Sequence, residues 1–78
     1  MSLGTYSIPA GAADPQLPHK EDEVYFVTAG RARFTAAGET IDVAAGEVLF
    51  VQAHEEHRFI DVSEDLTLLV FFAPAESV

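Results

Sequence analysis

The chain has no cysteine, no tryptophan, only four basic residues, and no apolar run long enough to cross a bilayer. Without cysteine, disulfides, thiolate metal sites and thiol nucleophiles are excluded, and a cytoplasmic location is expected. The longest apolar run, residues 68–73, falls far short of the roughly 20 residues a spanning helix needs. No basic stretch followed by an apolar one opens the sequence, so no signal peptide is expected. Thirteen acids against the four bases leave a formal charge of −9. That charge repels phosphate backbones and anionic lipid, so neither a nucleic acid nor a membrane is an expected partner. A Ser-His-Asp arrangement, a phosphate-binding glycine loop and a nucleotide fingerprint are also missing, which argues against acyl transfer and nucleotide chemistry.

What remains is a short, apolar, β-rich chain. Its 78 residues are 49% apolar and 10% aromatic, a composition that folds rather than stays disordered. The length allows one domain near the lower size limit for a self-sufficient core. Pro9, Gly11, Pro15 and Pro18 make residues 9–18 an extended, turning leading segment in which a helix is excluded. Apolar runs then follow at residues 24–28, 32–35, 40–43, 48–51, 58–62 and 66–72. They are rich in Val, Ile, Phe, Tyr and Thr and are broken by Ala29-Gly30, Ala37-Gly38-Glu39, Ala44-Ala45-Gly46 and Ser63-Glu64-Asp65. Repeated short strands between glycine turns predict an all-β barrel or sandwich with little or no helix. Residues 66–72 are apolar at both odd and even positions. A strand with one wet face alternates instead, so a second layer is expected, and at this length a homodimer is its expected source.

The residues able to carry chemistry are few. The histidines are His19, His54 and His57, with Glu21, Glu23, Glu55 and Glu56 near them. Imidazole and carboxylate suit zinc, iron, manganese, nickel or copper. Two spacings organise these residues. The first runs Gly11, five residues, Leu17-Pro18-His19, three residues, Glu23, six residues, Gly30. The second runs Gly46, five residues, Gln52-Ala53-His54, two residues, His57, three residues, Asp61, and fifteen residues separate the two motifs. Together they resemble the two motifs of the cupin superfamily, in particular its small single-domain bacterial members, the type-2 conserved-barrel and RmlC-like group.

The resemblance implies an antiparallel double-stranded β-helix, the jelly-roll cupin barrel, over residues 1–78 as a single domain. Its parts would be an N-terminal strand at 1–10, the first motif at 11–30, the second at 46–61 and a C-terminal strand at 66–73; residues 1–3 are given no weight. It further implies one divalent transition metal held by His19, Glu23 and His57. Leu17 stands where the family's first ligating histidine would be, and Gln16 is an additional candidate ligand. Tyr25, Gln52, His54 and Phe59 are candidates for the ligand pocket or for catalysis, and Gly11, Gly30 and Gly46 for the motif turns.

Each residue also has a plainer reading. His57 can be an interior histidine satisfied by hydrogen bonds, Glu23 a carboxylate paired with an arginine, and Tyr25 a packed aromatic. His54 replaces a turn glycine and reads as a solvated loop residue, as do Glu21, Asp22, Glu55 and Glu56. Arg31 and Arg33 read as a wet hairpin edge. Three functions follow from these readings. The first is a metal-dependent dioxygenase, isomerase or lyase acting on a small polar molecule. The second is a non-catalytic module binding a metabolite or metal, and the third a degenerate, metal-free cupin.

Overall fold

The computed structural model describes residues 1–14 and 20–74, and contains strands and connections with no helix among them. The strands are β1 (Ser2–Ile8), β2 (Asp22–Ala36), β3 (Glu39–Ala44), β4 (Val48–Val51) and β5 (His57–Ala73). All pairings are antiparallel, in the order β1-β5-β2-β3, and β4 pairs with the first half of β2. This is the all-β antiparallel architecture of a cupin barrel. Ser2 and Leu3, given no weight in the sequence, are part of β1 because they pair with Phe72 and Phe71.

Two strands are far longer than the apolar runs suggest. Residues 24–28 and 32–35 belong to one 15-residue strand, and residues 58–62 and 66–72 to one 17-residue strand. A straight 17-residue strand would be about 56 Å long, yet the longest extent of the whole molecule is 31 Å. Strand β5 therefore has to bend, and β2 bends with it. The bend lies at register shifts between Val27 and Ala29, Ala29 and Arg31, and Arg31 and Arg33. Ala29-Gly30 and Ser63-Glu64-Asp65, expected to be turns, are bulged stretches inside these strands. Extra residues on one strand kink it without ending it.

Gly30 shows why glycine stands there. Its φ is +94°, and a Cβ would meet the Asp65 carbonyl carbon and the Leu66 Cα at 2.8 Å. By contrast, Ala37-Gly38 is a true turn. Ala36 pairs with Glu39, and the two loop residues have φ of 51° and 78°, the left-handed pair that joins strands with matching twist.

Alternation sorts each strand into an inner and an outer face. Glu23, Tyr25 and Val27 of β2 point inward with Leu66, Leu68, Val70 and Phe72 of β5, all buried. Tyr25, Val27, Leu66 and Leu68 have no exposure at all. The core is completed by Ile8, Ala32, Phe34, Val43, Leu49, Val51, Phe59 and Val62. The outer face is different from the expected two-sided burial. Leu69 and Phe71 are only half-buried, while Val48 and Phe50 are more than 60% exposed. The second layer that the apolar pattern calls for is not supplied by the described part of this chain. Arg31 and Arg33 do not form an edge either, because β2 lies between β5 and β3. They make exposed ion pairs with Glu64 at 3.7 Å and Asp42 at 3.2 Å, of a kind worth about 1 kcal/mol or less.

Candidate functional site

The bend brings side chains from the start of β2, the end of β2 and the start of β5 to one point inside the barrel. Glu23 and Tyr25 come from one inward-facing row, and His57 and Phe59 from another. Their exposures are 1%, 0%, 5% and 1%. The Tyr25 hydroxyl lies 2.9 Å from His57 Nε2, and Glu23 Oε1 lies 3.4 Å from the same nitrogen. Phe34 and Phe59 wall the group, with ring centroids 6.0 and 5.2 Å from that of Tyr25.

The other ring nitrogen decides the electronic state of this one. His57 Nδ1 lies 2.8 Å from the Glu55 carbonyl oxygen, and a carbonyl can only accept, so Nδ1 carries the hydrogen and donates it. The turn before β5 aims that carbonyl. The Asp22 carboxylate accepts the Ala53 N–H at 2.8 Å, and the Glu55 N–H closes on the Gln52 carbonyl at 3.2 Å. His54 between them has φ of +66°, the left-handed conformation that glycine adopts at least cost.

In the neutral tautomer the Nε2 lone pair therefore accepts the Tyr25 hydroxyl hydrogen at 2.9 Å, with Glu23 Oε1 beside it at 3.4 Å. Two ligand atoms each about 2.0–2.1 Å from a tetrahedral ion stand about 3.4 Å apart. A hydrogen on Nδ1 held by a backbone carbonyl is also the usual support of a ligating imidazole. His57 and Glu23 thus fit a divalent metal as a pair of donors. Among the described residues no group of three or more His, Cys, Asp and Glu side chains could hold such an ion. His19 and Gln16, with Leu17, lie outside the described residues.

The remaining candidates are spread out. Gln52 and His54 are exposed in the turn after β4, where they shape the backbone that aims Glu55. Gly11 donates its N–H to the Val62 carbonyl at 2.9 Å, and Gly46 donates to Val27 at 2.8 Å with φ of +96°. Glu21, read as a solvated turn charge, is 6% exposed, and its neighbour Asp22 holds the turn. An open surface depression of about 480 Å³ lies elsewhere, between Arg31, Arg33, Asp42, Glu47, Asp61 and Ser63. Its arginines are engaged with carboxylates, and it does not touch the Glu23–His57 group.

Three participants escape sequence reasoning. Phe34 sits eleven residues from Glu23 along β2 and joins the site only because the strand bends. The Glu55 backbone carbonyl has no side-chain signature. Asp14, 3% exposed, accepts the Tyr6 hydroxyl at 2.8 Å and the Phe59 N–H at 2.9 Å, so it ties β1 to the strand that carries His57. Burial, followed by the Asp14 hydrogen bond and charge, pushes the Tyr6 phenol up to about 12.

Known proteins agree with this architecture. The Cupin domain family model matches residues 4–72. An uncharacterised protein of Streptomyces coelicolor is 52% identical over 77 residues, which is 99% of this chain and 73% of that protein. The structure of a predicted oxalate decarboxylase of Thermotoga maritima is similar with a TM-score of 0.77 and 24% identity, over 90% of this chain and 63% of that one. The DMSP lyase DddQ of Ruegeria pomeroyi is similar with a TM-score of 0.83 and 27% identity, over 99% of this chain. The chain spans only 41% of that lyase's length. No helix among the described residues is long and apolar enough to cross a membrane. The chain belongs to the cupin family.

Proposed function

We propose that this cupin is a metal-dependent enzyme acting on a small polar molecule, with lyase chemistry favoured over isomerase or dioxygenase chemistry. The observation that carries the reading is the buried Glu23–His57 pair, with Tyr25 on the shared nitrogen. As a stabilising device the pair is poor. Withdrawing a carboxylate from water costs several kcal/mol, and apolar residues of similar size in place of such a buried polar pair are often as stable or better by about 1–4 kcal/mol. Groups that weaken a core and converge on one point are better explained by chemistry. The likeness to the DMSP lyase, at 27% identity, supports the choice of reaction class.

His57 and Glu23 would hold one divalent transition metal, with His19 proposed as the third ligand. When bound, such an ion supplies Lewis-acid polarisation of a substrate carboxylate or carbonyl. The protein's own residues supply the rest. The Glu55 carbonyl fixes the imidazole orientation, and Phe34 and Phe59 keep water away from the polar atoms. Tyr25 holds a proton at its Oη, in reach of the imidazole, and is the side chain best placed to exchange one with a substrate. A cytoplasmic location belongs to the same reading, supported by the absence of cysteine.

Metal analysis of untagged protein beside His57→Ala tests the site. The wild type should carry close to one equivalent of a first-row metal and the variant far less; equally low contents in both would sink the metal reading. Turnover of a panel of small carboxylates should then depend on that metal and fall at least about a hundredfold in Tyr25→Phe. A ligand retained without turnover would assign the chain to the non-catalytic binders instead.

A further inference from the structure

We infer that Asp22 is a positioning residue: through the turn it holds, it fixes which ring nitrogen of His57 carries the hydrogen. The consequence for metal affinity rests on the reading of His57 as a metal ligand. A neutral imidazole has one hydrogen for two nitrogens, and here two acceptors compete for it. The Glu55 carbonyl lies 2.8 Å from Nδ1, and the Glu23 carboxylate lies 3.4 Å from Nε2. At equal distance the carboxylate is the stronger acceptor. Nδ1 therefore keeps the hydrogen only while the carbonyl is held at its short distance. Were the carbonyl to withdraw, the hydrogen would pass to Nε2 and occupy the lone pair that a metal needs.

The turn that carries this carbonyl does not hold itself. It closes from the Glu55 N–H to the Gln52 carbonyl at 3.2 Å, with His54 in its third place at φ of +66°. That is the left-handed place of a type II turn, which glycine fills at least cost. A strained residue keeps such a conformation where its surroundings over-determine it, and Asp22 supplies that constraint. The ladder between β2 and β4 ends at the Glu23–Val51 pair. One residue further along β2, the Asp22 side chain reaches the Ala53 N–H at 2.8 Å, in the second place of the turn. Asp22 is half-buried, and its backbone is anchored opposite Ala73 of β5, so the clamp stands on the sheet. Its chain neighbour is Glu23. One strand end thus presents the carboxylate to the site and clamps the turn that orients the imidazole against it.

Nitrogen NMR shifts of the His57 ring, in metal-free protein at a pH where imidazole is neutral, read the tautomer directly, with His57→Ala assigning the signals. The wild type should carry the hydrogen on Nδ1 and Asp22→Ala mainly on Nε2. Asp22→Asn keeps a carbonyl-type acceptor and should keep the wild-type tautomer. Ala53→Pro added to Asp22→Ala fixes the second place of a type II turn and removes the N–H that has lost its partner. It should return the hydrogen to Nδ1, which the charge of Asp22 could not explain. Zinc affinity of the untagged protein, measured against a competing chromophoric chelator, should fall about 10–100-fold in Asp22→Ala and recover in the other two variants. An unchanged tautomer in Asp22→Ala, an Nε2 hydrogen in the wild type or in Asp22→Asn, or a double variant that does not restore Nδ1 would each overturn the inference. The double variant decides if Asp22→Ala loses its β-type circular dichroism. A wild type that binds no zinc while all four proteins show the expected tautomers would support the role of Asp22 and overturn the metal reading alone.

Discussion

Gly30 and Gly46 form a matched pair for measuring what the barrel's bend costs when it is obstructed. Their φ angles are +94° and +96°, but an added Cβ meets the β5 backbone at Gly30 and nothing within 4 Å at Gly46. Alanine at either position suffers the left-handed backbone penalty of about 1–2 kcal/mol. Only at Gly30 does it also collide. The obstacles are the Asp65 carbonyl carbon and the Leu66 Cα, backbone atoms that no rotamer change moves aside. Overpacking of that kind adds about 1–3 kcal/mol. Gly30→Ala should therefore cost about 2–5 kcal/mol and Gly46→Ala about 1–2 kcal/mol. In a domain this small each kcal/mol lowers the melting temperature by about 4–8 °C. Urea unfolding followed by far-ultraviolet circular dichroism, at one fixed protein concentration so that association does not enter, measures the difference. Equal losses for the two variants would refute the claim that close approach of β2 and β5, rather than backbone conformation alone, demands glycine at position 30.

Three further outcomes follow from local geometry. His54→Gly should leave stability unchanged or raise it by up to about 1 kcal/mol, because the left-handed turn loses its strained side chain while the unfolded chain gains freedom; a loss above that size in thermal melts would assign His54 a contact of its own. Asp14→Ala should cost about 2–4 kcal/mol in chemical denaturation, since it strips the acceptors of the Phe59 N–H and the Tyr6 hydroxyl. The Tyr6 phenol, raised from 10.0 to about 12 in the folded protein, favours the neutral form. Its contribution is therefore complete below pH 10 and is lost as pH rises through about 12. Melting temperatures across that window should fall less steeply in Tyr6→Phe, and parallel curves would refute the linkage.

The strands were legible because alternating Val, Phe, Tyr and Ile leaves a period of two that no helix shares. Their lengths were not. Ala29-Gly30 and Ala37-Gly38 look alike as text, yet one is a bulge inside a strand and the other a two-residue turn. What separates them is the opposing strand, since Asp65 and Leu66 lie against Gly30 and nothing lies against Gly38. The spacing of Glu23 and His57 marked both as candidates, and inward alternation put them on interior faces. Their 3.4 Å approach arises from the bend, a tertiary event with no local signature. The protonation of Nδ1 depends on a backbone carbonyl, which every residue possesses and no residue name reveals. Glu21 is 6% exposed although its polarity and neighbours predict a solvated turn charge, because burial is set by tertiary surroundings rather than by a residue's own polarity.

Strand β2 constrains how this gene can change length. Odd-numbered residues 23 to 27 face the interior and even-numbered ones the outside, so inserting or deleting one residue there exchanges the two sets. The carboxylate would be expelled while Val24 and Phe26 turned into the barrel. Changes of two residues restore the parity, and a length change at the loop of residues 37–38 leaves the alternation along residues 23 to 27 intact. Homologous genes that differ in length should accordingly differ at that loop, and within β2 only by even steps.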